Sequence, residues 1–242
     1  MIPIKGSAPS PKVPGVTIAL IAVNSLVFIY MVSLGLEGME PFVREWGFVP
    51  AEFWRTLTEE PDALSLWLVP LLTSIFMHGG WGHLIGNMLF LWVFGDGIEN
   101  RIGHGRFLLF YLLAGLAASV VHASFAPGSA VPTVGASGAI AGVLGAYLVT
   151  YPRARIVLII PIFFWPFFFE LPAIFFLAIW FVEQLFFGAL MTAGDFGGGV
   201  GGVAWWAHVG GFVAGTILVK LMCIGKEEPE EHETRFFEEL RY

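Results

Sequence analysis

Apolar runs long enough to cross a hydrocarbon core recur along this chain, and that recurrence limits the folds open to it more than any other feature. Hydrophobic residues make up 57% of the 242 positions and charged residues only 13%, against ~45–50% and ~25% in ordinary soluble domains. No polar stretch is long enough to bury a core of its own. The expected fold class is therefore all-α and integral to the membrane. Six spans are expected, at roughly 16–34, 82–97, 107–125, 137–151, 172–189 and 203–223. The run beginning near Val16 has no small-residue cleavage site after Tyr30, so it reads as a retained helix. The stretch Ile156–Phe169 is equally apolar but carries Pro161 and Pro166, and reads as a loop dipping into the interface before a helix that starts at Pro172. The single cysteine, Cys223, excludes an internal disulfide.

The basic residues set the orientation. Of the 12 lysines and arginines, all but Arg44 and Arg55 fall on one side of these spans. The positive-inside rule then places both termini in the cytoplasm and requires an even number of spans. The resulting organisation is a cytoplasmic N-terminal segment over 1–15, a six-helix membrane domain over 16–223 and an acidic cytoplasmic tail over 224–242. Within the membrane domain, a first external loop covers 35–68 and an external cap loop covers 190–202. In the first loop, acids from Glu37 to Asp62 are interleaved with Trp46, Phe48, Phe53, Trp54 and Trp67. That mixture suggests segments lying in the headgroup layer rather than a free loop. The formal charge of −7 comes largely from that loop and the tail, and nothing in the chain points to nucleic acid as a partner.

Hydrogen-bonding or ionisable side chains inside a bilayer span are costly, so each is a functional candidate. Here they are His83 and Asn87 in the second span, Ser137 at the head of the fourth, Glu183 in the fifth and His208 in the sixth. His122, in the third span, has no polar companion on its helix and reads as an interfacial histidine. Depth follows from ~1.5 Å of rise per residue. Counting from basic residues at the cytoplasmic face, Ser137 lies ~24 Å from Arg153 and His83 ~27 Å from Arg101. His208 lies ~27 Å from Lys226, or ~18 Å from Lys220. Three spans thus carry their polar group at a similar level. The fourth span continues as Gly138, Gly142 and Gly145, and the sixth as Gly211 and Gly215. Such faces let backbones pack closely in lipid, and if they meet, Ser137 and His208 meet above them.

A serine hydroxyl becomes a nucleophile when a base within hydrogen-bond reach takes its proton, and imidazole suits that exchange near neutral pH. Neither the fourth nor the sixth span holds an aspartate, which favours a Ser–His dyad over a triad. The Ser137 N–H lies at a helix N-terminus, where amides are free to receive an oxyanion. His83 and Asn87, at i and i+4, share one helix face and can add two donors.

These residues resemble the rhomboid family of intramembrane serine proteases. Gly135-Ala136-Ser137-Gly138 with Gly142 is similar to its GxSG motif, and Ala207-His208 with Gly211 and Gly215 to its AHxxGxxxG helix. His83 through Asn87 resembles its HxxxN pair, and Glu99-Asn100-Arg101 its ExR pair, read here as a structural ion pair at a helix end. Each is short, but the ordered set is specific. The resemblance implies a six-helix bundle with a short fourth helix, a Ser137–His208 dyad, and an oxyanion site from the Ser137 N–H, His83 and Asn87. It also implies transmembrane proteins as substrates, the lipid bilayer as surroundings, no metal and no cofactor. It suggests a mobile cap for Gly194–Gly202. One departure stands out. The family often carries a Trp-Arg pair shortly before the second helix, where this chain has Val69-Pro70, and Trp54-Arg55 lies earlier. The expected location is a prokaryotic plasma membrane. The competing readings are a metal site on His78, His83 and His208, a non-catalytic membrane protein on the same fold, and a transporter. They lack, respectively, a nearby carboxylate, the loss of the serine or histidine, and repeated halves.

Overall fold

The structure, a computed structural model, describes residues 1–162, 165–193 and 203–224, without the side chain of residue 162. The N-terminal strand β1 (Ile2–Gly6) leads into α1 (Gly15–Ser33). Three shorter helices follow: α2 (Gly35–Trp46), α3 (Pro50–Glu59) and α4 (Leu64–Thr73), the last running into a 3₁₀ turn at Ser74–Phe76. Then come α5 (Trp81–Ile102), α6 (His104–Phe125) and α7 (Ser137–Thr150). The strands β2 (Arg155–Ile162) and β3 (Trp165–Pro172) lead to α8 (Ala173–Ala193), and α9 (Trp205–Met222) ends the described chain.

Helices occupy each of the six stretches named from sequence. Among the described residues, α1, α6, α8 and α9 are long and apolar enough to cross a membrane. The α4–α5 pair, bent by 83° at its break, makes a fifth if counted as one span, and α7 is a shorter apolar helix. Outward-facing residues such as Leu26, Phe175, Val182, Phe186 and Ile217 are each more than half exposed, as lipid-facing positions are. The expected cap loop is split. Its first residues continue α8 to Ala193, and 194–202 lie outside the described residues, as does the tail from 225 onward.

Two regions differ from the sequence reading. The fold is not wholly helical: in Ile156–Phe169, expected as an interfacial loop, the described residues lie in two paired antiparallel strands. β2 pairs with β3 from Arg155↔Pro172 to Ile162↔Trp165, and β1 adds to the other side of β2 with Ile2 opposite Ile159. Ile156, Val157 and Leu158 are buried, so the run is rich in β-branched and aromatic residues with a surface to cover. The prolines that argued against a helix are tolerated because Pro161 faces Pro166. Two residues without N–H groups oppose each other, and the ladder loses at most one pair of bonds. The second region is the first loop, which is largely helical. Trp54 on α3 donates its indole N–H to the Ala123 carbonyl of α6 at 2.9 Å, within a cluster with Phe48, Phe53 and Leu71. Trp54 therefore anchors this segment, and Pro70 sits inside α4.

One end of the molecule is tied by polar contacts. Both oxygens of the fully buried Glu99 are occupied: Oε1 accepts from the Val16 N–H at 2.8 Å and pairs with the His104 ring, and Oε2 accepts from the Thr17 N–H and hydroxyl, each at 2.7 Å. Its carboxylate caps α1 across the helix interface, where the free N–H groups of a helix start favour negative charge. Asn100 accepts from the Lys12 N–H, Ser7 bonds both the N–H and the carbonyl of Arg155, and Arg106 donates to the Met222 carbonyl.

The centre of the bundle is the contact of α7 with α9. A Cβ placed on Gly211 would lie 2.0 Å from the Gly138 carbonyl oxygen, one on Gly215 2.0 Å from that of Gly142, and one on Gly145 2.1 Å from that of Phe212. The two backbones touch, as small-residue faces allow. Gly211→Ala should cost about 1–3 kcal/mol through overpacking, read as a lowered midpoint of thermal unfolding in detergent. An unchanged midpoint would show that α9 can move away freely.

Candidate active site

The helix contact sets what lies above it. Ser137 is the first residue of α7 and His208 sits one turn before Gly211 on α9. The Ser137 hydroxyl and His208 Nε2 are 2.8 Å apart, both half-buried. They open onto a cavity of about 1130 Å³ inside the helix cluster, also lined by His83, Asn87, His122 and Trp205.

The start of α7 is held by the chain before it. Phe48 and Thr133 exchange backbone hydrogen bonds of 3.1 and 2.7 Å, and the Gly135 N–H donates to the Ser74 carbonyl at 2.9 Å. Gly135 has φ +140°, in the region that disfavours side chains. A Cβ there would lie 2.8 Å from the His83 ring. Glycine thus supplies both the turn into Ser137 and the space for His83 beside it. His83 Nδ1 faces the Gly79 N–H at 3.4 Å, a long contact that leaves the proton on Nε2, the nitrogen nearer Gly135. Asn87 is 8% exposed, and its Nδ2 has no hydrogen-bond partner among the described residues. His78, fully buried, stacks edge-on against His83 with ring centroids 5.1 Å apart.

The structure brings four sequence candidates, Ser137, His208, His83 and Asn87, to one cavity. His122, set aside in sequence for want of a companion, lines the same wall. Glu183 does not join them and is exposed on α8. Its neighbour Gln184, only 3% exposed, places Oε1 2.7 Å from His208 Nδ1. Sequence reasoning passed over Gln184 in favour of the ionisable residue beside it. The helical phase could have found it, because Trp180, Gln184 and Gly188 recur every four residues along one face. Among the described residues no three His, Cys, Asp or Glu side chains are arranged as a metal-ligand set.

Comparison with known proteins places the chain in a family. A Rhomboid domain model matches residues 63–225, which include every residue named at the cavity. Rhomboid protease GluP of Bacillus subtilis is 50% identical over 78 residues, covering 32% of this chain and 15% of that protein. The mitochondrial presenilin-associated rhomboid-like protein of Mus musculus is 37% identical over 112 residues, 45% of this chain and 29% of the relative. Rhomboid-like protein 11 of Arabidopsis thaliana, chloroplastic, is 30% identical over 119 residues, 49% of this chain and 39% of the relative. The chain therefore spans well under half the length of these relatives. They come from bacteria, mitochondria and chloroplasts, so the similarity indicates an integral membrane protein without indicating which membrane. With the Rhomboid match extending over most of its length, the chain belongs to the rhomboid family, which includes intramembrane serine proteases.

Proposed function

We propose that this protein is an intramembrane serine endopeptidase that hydrolyses peptide bonds in or near transmembrane segments of membrane proteins through a Ser137–His208 dyad. The observation that carries the reading is the 2.8 Å contact between the Ser137 hydroxyl and His208 Nε2 on the wall of a cavity within a lipid-facing bundle. A hydroxyl and an imidazole at that separation are within reach for proton transfer as the oxygen attacks a carbonyl carbon. His208 takes the Ser137 proton, the C–O bond forms, and the carbonyl oxygen becomes an oxyanion. The donors offered to it are the Ser137 N–H at the start of α7, His83 Nε2 and Asn87 Nδ2, which has no partner among the described residues. His208 then gives its proton to the leaving amine as the C–N bond breaks. Water, activated by the same imidazole, hydrolyses the acyl-enzyme and restores Ser137.

In this reading α1, α5, α6, α7, α8 and α9 are the six spans, and both termini face the cytoplasm. The grouping of Lys12, Arg106 and Arg155 at the end tied through Glu99 and Asn100 supports that orientation. A prokaryotic plasma membrane fits the Bacillus subtilis relative. Residues 1–15 and 224–242 are then cytoplasmic segments flanking the membrane domain. Substrates with weakened helices suit the site, because a peptide must be extended to present its carbonyl to Ser137.

The test is cleavage of a reporter transmembrane substrate in detergent and in liposomes, with a fluorophosphonate probe mapped by mass spectrometry. Wild-type protein should be labelled at Ser137. Ser137→Ala and His208→Ala should each abolish cleavage while leaving thermal unfolding intact. Cleavage surviving Ser137→Ala would rule out the assigned nucleophile. Asn87→Ala should retain activity reduced by about 10²–10³, corresponding to ~3–4 kcal/mol of lost oxyanion stabilisation, measured as kcat with KM little altered.

A further inference from the structure

His208 has two ring nitrogens, and the dyad uses only one of them. The other, Nδ1, lies 2.7 Å from Gln184 Oε1. Gln184 is itself held: its Nε2 donates to the Trp180 carbonyl, one turn earlier on α8, at 3.2 Å. A backbone carbonyl only accepts, so the amide nitrogen must face Trp180 and the amide oxygen must face His208. That oxygen in turn only accepts, so the proton of the neutral imidazole is placed on Nδ1 and the lone pair on Nε2, toward Ser137. The direction of every hydrogen bond from the Ser137 hydroxyl to the Trp180 carbonyl is therefore fixed by the last acceptor. The ring plane is confined as well. The Trp180 indole lies over His208 with centroids 5.8 Å apart and planes 35° apart, and the Trp205 indole meets it nearly edge-on at 6.2 Å and 81°.

We propose that Gln184 is the positioning residue of this site, an uncharged third member that sets the tautomer and orientation of His208; the inference rests on the dyad reading above. An amide suits the location. An ionised carboxylate buried among indole rings would carry a large desolvation cost, whereas an amide supplies the same acceptor without net charge. The helix phase makes the choice: the carboxylate of Glu183, one residue away, is turned outward, and the amide of Gln184 is turned to the ring. Gln184 touches no reacting atom, and its effect passes through His208.

The role can be read without any substitution. In wild-type protein carrying 15N-labelled histidine, with the His208 signals assigned by their absence in His208→Ala, Nδ1 should be protonated and Nε2 unprotonated near neutral pH. The opposite tautomer would overturn the proposal. Gln184→Met keeps the length and most of the volume but removes the acceptor. It should lower kcat by about 10- to 100-fold, the scale seen when the hydrogen-bond partner orienting a metal-bound imidazole is lost, with KM within about twofold. A Gln184→Met protein with wild-type kcat, shown to be folded by thermal unfolding, would show that the side chain only fills space. Fluorophosphonate labelling separates the two levels. A wild-type protein that fails to label at Ser137 refutes the dyad reading, whereas labelling at equal rates in wild type and Gln184→Met refutes only the part assigned to Gln184.

Discussion

The backbones of α7 and α9 are in direct contact. The Gly138 and Gly142 carbonyl oxygens occupy the space where side chains on Gly211 and Gly215 would begin. In a lipid environment no hydrophobic force drives helices together, so association depends on packing at close range and on polar contacts between helices. The close approach fixes the separation and the vertical register of the two helices at once. Ser137 directly precedes Gly138 and His208 stands one turn before Gly211, so the same contact that holds the bundle brings hydroxyl and imidazole to 2.8 Å. Spacing in the site is thus a property of the backbone, not of flexible side chains adjusting to one another.

Around that pair, the remaining elements hold the geometry from two sides. On one side, the chain before α7 is pinned by the Phe48–Thr133 bridge and the Gly135–Ser74 hydrogen bond, while Trp54 fastens α3 to α6. On the other, α8 contributes Trp180 and Gln184 to the back of His208. At the far end, Glu99 satisfies the start of α1 with a carboxylate buried in the neighbouring helix. Each device meets the same demand: polar backbone groups in a bundle surrounded by apolar surface must find partners within the protein.

The parts legible in the sequence were those with a strong local signature. Ser137, His208, His83 and Asn87 stood out because polar side chains are scarce in such a chain, and the glycine faces gave a reason for the first two to meet. Gln184 was harder. Sequence reading weighted Glu183 for its charge, whereas the structure selects the residue on the inner phase of α8, and a helix turning about 100° per residue separates neighbours completely. The sheet was missed for another reason. The prolines argued against a helix despite the apolarity, but strand pairing depends on a distant partner, and the segment that completes the sheet is Ile2–Gly6. Trp54 was noticed, but its partner, the Ala123 carbonyl, is a backbone atom without a sequence signal.

The pairing of β1 with β2 has a consequence for biosynthesis. Ile2 aligns with Ile159, and the N–H groups of Val16 and Thr17 donate to Glu99. At translation rates of about 5–20 residues per second, the first strand emerges roughly 8–30 s before its partner exists. During that interval β1 is without the strand it pairs with. Completion of the sheet is therefore a late event in assembly. It joins β1 to a strand that is made only after α1 to α7.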